Sequence, residues 1–428
     1  MNLIRQHPVL SALLVNVILF SGVFAFAFPI YNSGDDVYLL YTLSGGFGQA
    51  PTELLHYHYG MHPYVGWVLK NLFTQYPGFN WYSLLLYLFH FLSCTAILSL
   101  WIKKNPPAVI ASGYALLFFG IEMHFLLNPT FTNTAFVSAI GGLIILYHGY
   151  RQLEYNRLQL LCGWLLVFFA SLLRLHLLMP ALLIAAPFFI FMTRKIQLTR
   201  FFMHTVAVVL FIAAFVMIQE RYYKKYIPGW QEEESYRQTV IDHYNIPKMP
   251  HDNQQEDIRI SADFLEKGIL WDKEFLSARQ IQKTTAAVKL NGAWQQKDFR
   301  QKLYWVTWEF RLGVLIVALM LLWKFPSFNK KEKTSVIASV ALMTVMCIGL
   351  FLFMKLPGYV VTGGLLQLTA FIGFPGKKLL PVPPVWKWLF PLAAMLLLSW
   401  SIVRVYKIDR RNKHQSGQWR CAYKQVRS

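Results

Sequence analysis

Charged residues are scarce in this chain of 428 residues, and that scarcity excludes a soluble globular domain. Asp, Glu, Lys and Arg together supply 14% of the residues, whereas about a quarter is usual for a soluble domain. Hydrophobic residues supply 55% and aromatic residues 16%. A chain of this composition has too little polar surface to stay dispersed in water. We therefore expect a membrane protein.

Cysteine is also scarce, with four residues in the whole chain. Cys94, Cys162 and Cys347 lie inside apolar runs, and Cys421 lies near the C-terminus. No two of them form a CxxC pair. This distribution excludes a disulfide framework and a cysteine-based metal site.

What the chain does contain is a series of long apolar runs. Each is long enough, or nearly so, to cross ~30 Å of hydrocarbon as an α-helix. Lipid offers the backbone no hydrogen-bond partner, and no alternating pattern typical of a barrel is present. The sequence predicts an all-α polytopic membrane protein with about 10–11 transmembrane helices, the first of them an uncleaved span. The runs are centred near residues 9–30, 82–102, 107–127, 131–150, 158–173, 177–192, 201–218, 311–325, 334–355, 359–374 and 386–403.

Acidic residues are few, 21 against 41 basic ones, which gives a formal net charge of +20. Residues 220–309 hold 14 of each sign, which leaves 7 acidic and 27 basic residues in the rest of the chain. The excess lies in short connections and in the tail, which is the positive-inside pattern of a membrane protein and not a nucleic-acid patch. We predict a multi-pass protein of the cell inner (cytoplasmic) membrane with no nucleic-acid partner.

The charge pattern also predicts the organisation of the chain. Residues 1–219 form an N-terminal membrane domain that includes a first outward loop, 31–79. Residues 220–309 form an extracytoplasmic (periplasmic), mostly helical insert, 310–403 the C-terminal membrane helices, and 404–428 a basic cytoplasmic tail. The positive-inside rule predicts that Lys377, Lys378 and the tail all lie in the cytoplasm. A single span between these two segments cannot leave both on the same side. Either the run 359–374 re-enters the membrane or the rule fails once, and we favour re-entry.

Two carboxylates stand side by side where the first span ends, in Asn32-Ser33-Gly34-Asp35-Asp36. Exposing such a charge to lipid near mid-bilayer costs ~2.5–3.5 kcal/mol, so a helix cap or a function must account for the pair. An N-cap at Ser33 or Asp35 explains one acid more easily than two. We therefore take Asp35 and Asp36 as candidate catalytic residues.

Histidines in the first outward loop are candidates for substrate contact. The intervals between His56, His58 and His62 match no strong zinc motif, so we predict no metal site and favour substrate contact or interfacial packing. Trp81 and Tyr82, at the start of the second span, are interpreted as an interface anchor.

Polar residues at the ends of later spans are the remaining candidates. Glu122 and His124 stand near the end of the third span, and Arg174 and His176 interrupt the apolar sequence between the fifth and sixth. An arginine there needs an anion, a carbonyl group or water. Pairing with Glu122 or with a lipid head group is one alternative, and a phosphate-bearing ligand would use the same chemistry. We predict all four as substrate-binding residues.

This layout resembles that of the GT-C-type glycosyltransferases, membrane enzymes that transfer a sugar from a polyprenyl-phosphate carrier to an acceptor on the outer face. More closely, the chain is similar to a group of uncharacterised bacterial polytopic proteins with a DD, SG and NWY pattern, and the likeness spans most of the chain. That closer likeness supplies an architecture and no established activity. The residues that carry it are Asp35-Asp36, Ser44-Gly45, Asn80-Trp81-Tyr82, Phe131-Thr132-Asn133-Thr134-Ala135 and Tyr244-Asn245.

The GT-C resemblance implies a role for each candidate. Asp35 or Asp36 would deprotonate the acceptor hydroxyl in an inverting transfer. Arg174, with His176, would hold the phosphate of the carrier and stabilise the charge that it gains on leaving. Residues 220–309 would cover the acceptor, an envelope glycan or lipid. The chain shows no DxD sequence and no metal cage, which leaves a divalent-cation requirement open.

Two other classes compete with this interpretation. A transporter or flippase of a lipid-linked or anionic solute also has many spans and few buried polar groups, but the chain shows no duplicated halves. A non-catalytic membrane protein of envelope assembly would leave the acidic pair unexplained. The asymmetric outward insert favours the transferase.

Overall fold

The structure is a computed structural model that describes residues 5–31, 33–46, 50–54, 61–152, 156–192, 195–245, 261, 277–290, 311–353, 357–373 and 384–427. These residues form helices and connections with no strand among them, which confirms the predicted all-α class. The helices are α1 Pro8–Phe26, α2 Gly34–Ser44, α3 Pro63–Gln75, α4 Trp81–Lys104, α5 Pro107–Leu117, α6 Met123–Leu127, α7 Phe131–Arg151, α8 Arg157–Arg174, α9 Leu178–Met192, α10 Lys195–Tyr226, α11 Trp230–Asn245, α12 Ala278–Leu290, α13 311–324, α14 Lys330–Phe353, α15 Gly358–Ile372 and α16 Pro384–Arg427.

Seven helical stretches of the described chain are long and apolar enough to cross a membrane, judged by length and composition. The protein is therefore a multi-pass membrane protein. The finer predictions of 10–11 spans, of a GT-C-like arrangement and of the inner membrane stay predictions. The seven stretches are Pro8–Phe26, Trp81–Lys103, Val109–Leu127, Phe131–Arg151, Arg157–Phe191, Lys195–Tyr226 and Lys330–Leu350.

The longest of these stretches, Arg157–Phe191, folds as two helices and not as one. Helix α8 ends at Arg174, a 3-10 turn covers Leu175–Leu177, and α9 follows at once. Helix α8 packs closely on α7, because a Cβ atom at Gly142 of α7 would lie 2.6 Å from the carbonyl oxygen of Gly163 of α8. Small residues at such contacts allow helices in a membrane to approach each other. The turn between α8 and α9 therefore presents Arg174 at the start of α7.

The chain divides into two compact units, which we describe separately. The first unit contains residues 1–214, 310–343 and 359–428, and the second contains 215–309 and 344–358. In the second unit α11 packs against α12. The rings of Tyr223 and Trp230 stack there with centroids 4.5 Å apart, and the Trp230 indole donates to Glu220 Oε2 at 3.2 Å. These contacts agree with a helical insert, whose predicted periplasmic side stays a prediction.

The helix bundle of the first unit has two ends that can be told apart by their polar contacts. At one end, the Asp36 end, the backbone N–H of Phe131 donates to Asp36 Oδ1 at 2.8 Å. At the other, the Asn105 end, Lys324 Nζ donates to Asn105 Oδ1 at 2.8 Å and Arg5 Nη2 to the Asn105 carbonyl oxygen at 3.1 Å. The positive-inside pattern predicts that the Asn105 end faces the cytoplasm, and this orientation stays a prediction.

Helix α15 runs from one end of this bundle to the other. The Tyr359 ring lies 5.8 Å from the Arg174 guanidinium, near the Asp36 end. At the Asn105 end, Trp101 Nε1 donates to the Ala370 carbonyl oxygen and Asn105 Nδ2 to that of Gly373, both at 3.1 Å. The predicted re-entry of residues 359–374 is therefore wrong, because the segment does not turn back.

The basic tail begins at the Asp36 end. Asp409 Oδ1 accepts the N–H of Phe28 at 2.6 Å, and Asn412 Nδ2 donates to the carbonyl oxygens of Phe28 at 3.0 Å and of Leu127 at 3.2 Å. These side chains bind backbone groups close to the ends of α1 and α6, and the Leu127 carbonyl oxygen also accepts the Ile30 N–H at 3.1 Å. The predicted cytoplasmic tail at 404–428 and the predicted outward loop at 31–79 are incompatible with each other, because both segments lie at the Asp36 end. The side of the membrane that this end faces stays a prediction.

We expect cysteines at Ser44 and at Arg410 to react with a membrane-impermeant thiol reagent from the same side. Both residues are exposed, and both belong to segments at the Asp36 end. Labelling of intact cells expressing Ser44→Cys or Arg410→Cys, each in a Cys421→Ser background, measures this. Lys103→Cys, at the Asn105 end, is the control and should react only after permeabilisation. Reaction of Arg410→Cys only after permeabilisation, with Ser44→Cys reacting in intact cells, would contradict the shared end.

Candidate functional site

The acidic pair stands in the first turn of helix α2, and its local sequence explains why. Ser33 is the N-cap, and its Oγ accepts the backbone N–H of Asp35 at 3.1 Å. Carboxylates in a first helical turn are stabilised by the partial positive charge of the helix N-terminus. Gly45 ends the helix in the left-handed region, at φ 80°, which suits a residue without a Cβ atom. Of the two cap residues that the sequence offered, Ser33 and Asp35, the structure shows Ser33.

Asp36 is fully buried, and one of its carboxylate oxygens binds two other segments. The Tyr82 hydroxyl donates to Asp36 Oδ1 at 2.6 Å, and the Phe131 N–H donates to the same oxygen at 2.8 Å. Asp36 Oδ2 has no hydrogen-bond partner among the described residues. Tyr82 is itself fully buried, so its interpretation as an interface anchor is wrong. Its hydroxyl is satisfied by Asp36 and does not face the membrane interface.

Burial raises the pKa of the Asp36 carboxyl to about 7. The hydrogen bonds from Tyr82 and from the Phe131 N–H favour the ionised form and oppose this shift, and the nearby Arg174 charge does the same. The Asp35 charge adds to the increase. Asp36 thus changes its protonation near neutral pH.

Arg174 reaches the same place from the turn between α8 and α9. Its Nη1 donates to Thr132 Oγ1 at 2.6 Å, and its guanidinium carbon lies 5.3 Å from the Phe131 ring centroid and 5.8 Å from that of Tyr359. An arginine side chain has five N–H donors. Among the described residues only Thr132 accepts a hydrogen bond from this one, which leaves donors for an anion. The alternative pairing with Glu122 is wrong, because Glu122 binds His90.

Three separate sequence patterns therefore meet at the Asp36 end. The acidic pair supplies Asp36, the NWY pattern supplies Tyr82, and the FTNTA pattern supplies the Phe131 N–H and the Thr132 hydroxyl. Two caps fix the last two patterns, since Asn80 Oδ1 accepts a backbone N–H at the start of α4 and Thr130 Oγ1 at the start of α7. The caps place both helix ends where Asp36 can bind them.

The other predicted residues of the first loop and of the α8–α9 turn have different positions. Asp35 and His176 are exposed. His62 is buried as the N-cap of α3, where its Nδ1 accepts the Tyr64 N–H at 3.2 Å, which is a structural role. His56 and His58 lie outside the described residues. The exposed carboxylate of Asp35 is thus next to a buried one.

Glu122 and His124 lie away from Asp36 and Arg174. Glu122 ends a π-helical segment, Phe118–Glu122, and its Oε1 lies 2.5 Å from His90 Nδ1, both side chains being fully buried. His124 Nδ1 is buried with no partner among the described residues, on the side where α16 brings Arg404 and Arg411. The sequence reasoning missed His90, a lone histidine inside an apolar run, because nothing in the run indicates its partner.

Metal ligands do not gather in the described part of the chain. No three His, Cys, Asp or Glu residues there are placed to hold a metal ion. Asp35 and Asp36 supply two carboxylates, fewer protein ligands than a Zn²⁺ site needs. The sequence predicts no metal site among the histidines and leaves a divalent-cation requirement open, and both stay as the sequence left them.

Comparison with known proteins adds no relative to these observations. No family model, no curated protein and no solved structure matches the chain significantly. Function must therefore be argued from the site itself.

Protonation of Asp36 should make the stability of the fold depend on pH. Because the folded-state pKa of this acid, about 7, lies above its unfolded value near 4, the folded protein binds the proton more tightly. Protonation of Asp36 contributes about 4 kcal/mol to the free energy of unfolding. This contribution is complete below about pH 4 and is lost as the pH rises through about 7. SDS-induced unfolding, followed from about pH 4.5 to about 7.5, measures this slope. This range is set by the unfolded and folded pKa values of Asp36.

Asp36→Asn should remove this slope, because an amide accepts the same two hydrogen bonds without titrating. Asp35→Asn removes a charge that adds to the pKa of Asp36, so this variant should keep a slope of the same sign that ends at a slightly lower pH. Parallel curves for the unmodified protein and Asp36→Asn would contradict the assignment.

Proposed function

We propose that the protein is an inverting glycosyltransferase that moves a sugar from a polyprenyl-phosphate carrier to an envelope glycan or lipid acceptor on the outer face of the membrane. The observation that carries this proposal is the meeting of Asp36 and Arg174 around the start of α7, with the exposed Asp35 beside them. A carboxylate and a guanidinium, whose donors are not all bound by the described residues, are the two groups that such a transfer needs.

We assign the proton transfer to Asp35 and a positioning role to Asp36. A general base must reach the hydroxyl that it deprotonates, and Asp35 is exposed whereas Asp36 is fully buried. Asp36 fixes the first turn of α2 by binding Tyr82 and the Phe131 N–H. It thereby sets the place of the Asp35 carboxylate relative to the start of α7.

The reaction then proceeds in one displacement. The acceptor hydroxyl oxygen attacks the anomeric carbon and forms the new glycosidic bond, while its proton moves to Asp35. The bond between the anomeric carbon and the phosphate oxygen breaks, and its electron pair leaves with the carrier phosphate. Arg174 binds this phosphate and stabilises the negative charge that it gains, for which the planar guanidinium is well suited. Phosphate is a sufficiently good leaving group that no general acid is required.

A proton-coupled transporter of a lipid-linked or anionic solute is the second candidate. A specific observation favours it, namely the fully buried His90–Glu122 pair inside the bundle. Ionisable groups within a membrane are often parts of proton pathways.

Reconstitution of the purified protein into liposomes separates these functions. Polyprenyl phosphates that carry different labelled sugars are added with a mixture of envelope glycans and lipids. The transferase is expected to attach the label covalently to an acceptor. Passage of an unchanged labelled molecule across the membrane would favour the transporter. If neither occurs with any donor, both proposals fail and a non-catalytic role in envelope assembly gains support.

A further inference from the structure

A second group of polar residues lies within the first unit, separate from Asp36 and Arg174. His90 of α4 lies between Glu122 and α7. Its Nδ1 is 2.5 Å from Glu122 Oε1, and its Nε2 is 3.1 Å from Thr134 Oγ1. The Thr134 hydroxyl in turn donates to the Thr130 carbonyl oxygen at 2.9 Å. The proposed glycosyl transfer uses none of these groups.

The direction of these hydrogen bonds decides where the protons are. The Thr134 hydroxyl has one proton, and when it donates this proton to the Thr130 carbonyl oxygen it can only accept from His90 Nε2. Nε2 must then carry a proton. The short contact between His90 Nδ1 and Glu122 Oε1 needs a proton of its own, because two lone pairs at 2.5 Å would repel each other. The pair then holds one proton on this contact in addition to the one on Nε2.

The opposite arrangement is disfavoured by its net charge. If Thr134 donates to His90 Nε2, the imidazole is neutral with its proton on Nδ1, and Glu122 is an uncompensated anion. Among the described residues His90 is the only ion-pair partner of Glu122. A lone buried charge in a membrane interior is strongly unfavourable. The pair without net charge is therefore the stable form.

We infer that His90 and Glu122 form a proton-binding site inside the helix bundle, which holds one shared proton. Loss of that proton leaves the pair with one negative charge and makes the Thr134 hydroxyl rotate from the Thr130 carbonyl oxygen to His90 Nε2. Thr130 caps α7, and the next residue, Phe131, donates to Asp36. Proton release at this site thus acts on the helix start that binds the carboxylate at the Asp36 end.

The groups around the His90–Glu122 pair come from several helices. The shared proton is the ligand that balances the charge of Glu122. Cys94, on the same helix as His90, lies next to Glu122, and Tyr114 of α5 interacts with both. Asn16 of α1 is uncharged and accepts the Tyr114 hydroxyl at 2.6 Å. Thr134 is the group that α7 contributes. From α16, Arg404 and Arg411 act on His124, two residues beyond Glu122 in the chain.

Nitrogen NMR of the full-length protein in lipid, labelled at the histidine ring nitrogens, tests the site. The chain has 12 histidines, so the His90 signals are assigned by their loss in His90→Gln, or by their shift in Glu122→Gln if the first variant does not fold. The expected result at pH 7 is a protonated His90 Nε2, with Nδ1 either accepting or sharing a proton. An unprotonated Nε2 with a protonated Nδ1 would overturn the inference.

A second measurement counts the proton directly. A proton that the folded pair holds and the unfolded chain lacks links the stability of the fold to pH. The unfolding equilibrium constant of the unmodified protein should then rise about tenfold per pH unit relative to that of Glu122→Gln, measured by SDS-induced unfolding from about pH 7.5 to 9.

The matched control for this measurement is Glu53→Gln. Glu53 forms an ion pair with Lys70 at 2.5 Å outside the spans, so this variant should keep the tenfold slope. Equal slopes for the unmodified protein and Glu122→Gln would show that the folded pair holds no proton, and would overturn the inference.

Discussion

Asp35→Asn is expected to lower the turnover of glycosyl transfer by ~10²–10⁴-fold, the usual contribution of a general base. Asparagine keeps the volume of the side chain but cannot accept the proton of the acceptor hydroxyl. Binding of the polyprenyl-phosphate sugar should be nearly unchanged, because the proposal assigns the phosphate to Arg174. Single-turnover transfer and equilibrium binding of the carrier, measured separately on purified protein, give the two numbers.

Asp36→Asn is the informative comparison for this result. Its amide oxygen still accepts from Tyr82 and from the Phe131 N–H, so the position of α2 should be kept and transfer should fall far less. Full activity of Asp35→Asn together with a large loss in Asp36→Asn would move the base from Asp35 to the buried carboxyl. Normal transfer by both variants would remove the base assignment altogether and favour the transporter.

Arg174→Ala is expected to weaken both carrier binding and turnover, the latter by ~10²–10³-fold. This is the loss seen when one group that stabilises a developing negative charge is removed. Both quantities should fall, because the phosphate is bound before and during bond cleavage. The same binding and single-turnover measurements apply.

Two variants separate the charge of Arg174 from its placement. Arg174→Lys keeps a cation but loses the planar fork, and should recover part of the binding. Thr132→Val removes the hydroxyl that accepts from Arg174 Nη1, and should give a smaller defect that changes turnover more than folding. Unchanged carrier binding in Arg174→Ala would contradict the phosphate assignment.

Local sequence signals predicted much of the helix architecture and one part of the site. Run length and composition predicted the membrane helices, and the Ser33 cap before two acids predicted the start of α2. The interval between the fifth and sixth runs placed Arg174 at a turn. These features depend on neighbouring residues in the chain, so one sequence contains enough information to predict them.

Contacts between distant residues could not be predicted in the same way. The pairing of His90 with Glu122 joins two helices, and nothing in either run indicates the angle at which they pack. Tyr82 has the sequence context of an interface aromatic residue, and only the approach of α2 gives its hydroxyl the Asp36 partner. The positive-inside rule counts charges and takes no account of hydrogen bonds, so it could not indicate that Asp409 and Asn412 bind Phe28.

The contact between α16 and Phe28 has a consequence for biogenesis. Phe28 and Asp409 are separated by 381 positions, and at about 5–20 residues per second the ribosome needs roughly 20–75 s to synthesise that interval. Helix α1 is therefore inserted into the membrane long before Phe28, which follows it, can bind Asp409. A nascent chain released before residue 409 keeps the Phe28 N–H without this partner, so the contact distinguishes finished chains from unfinished ones.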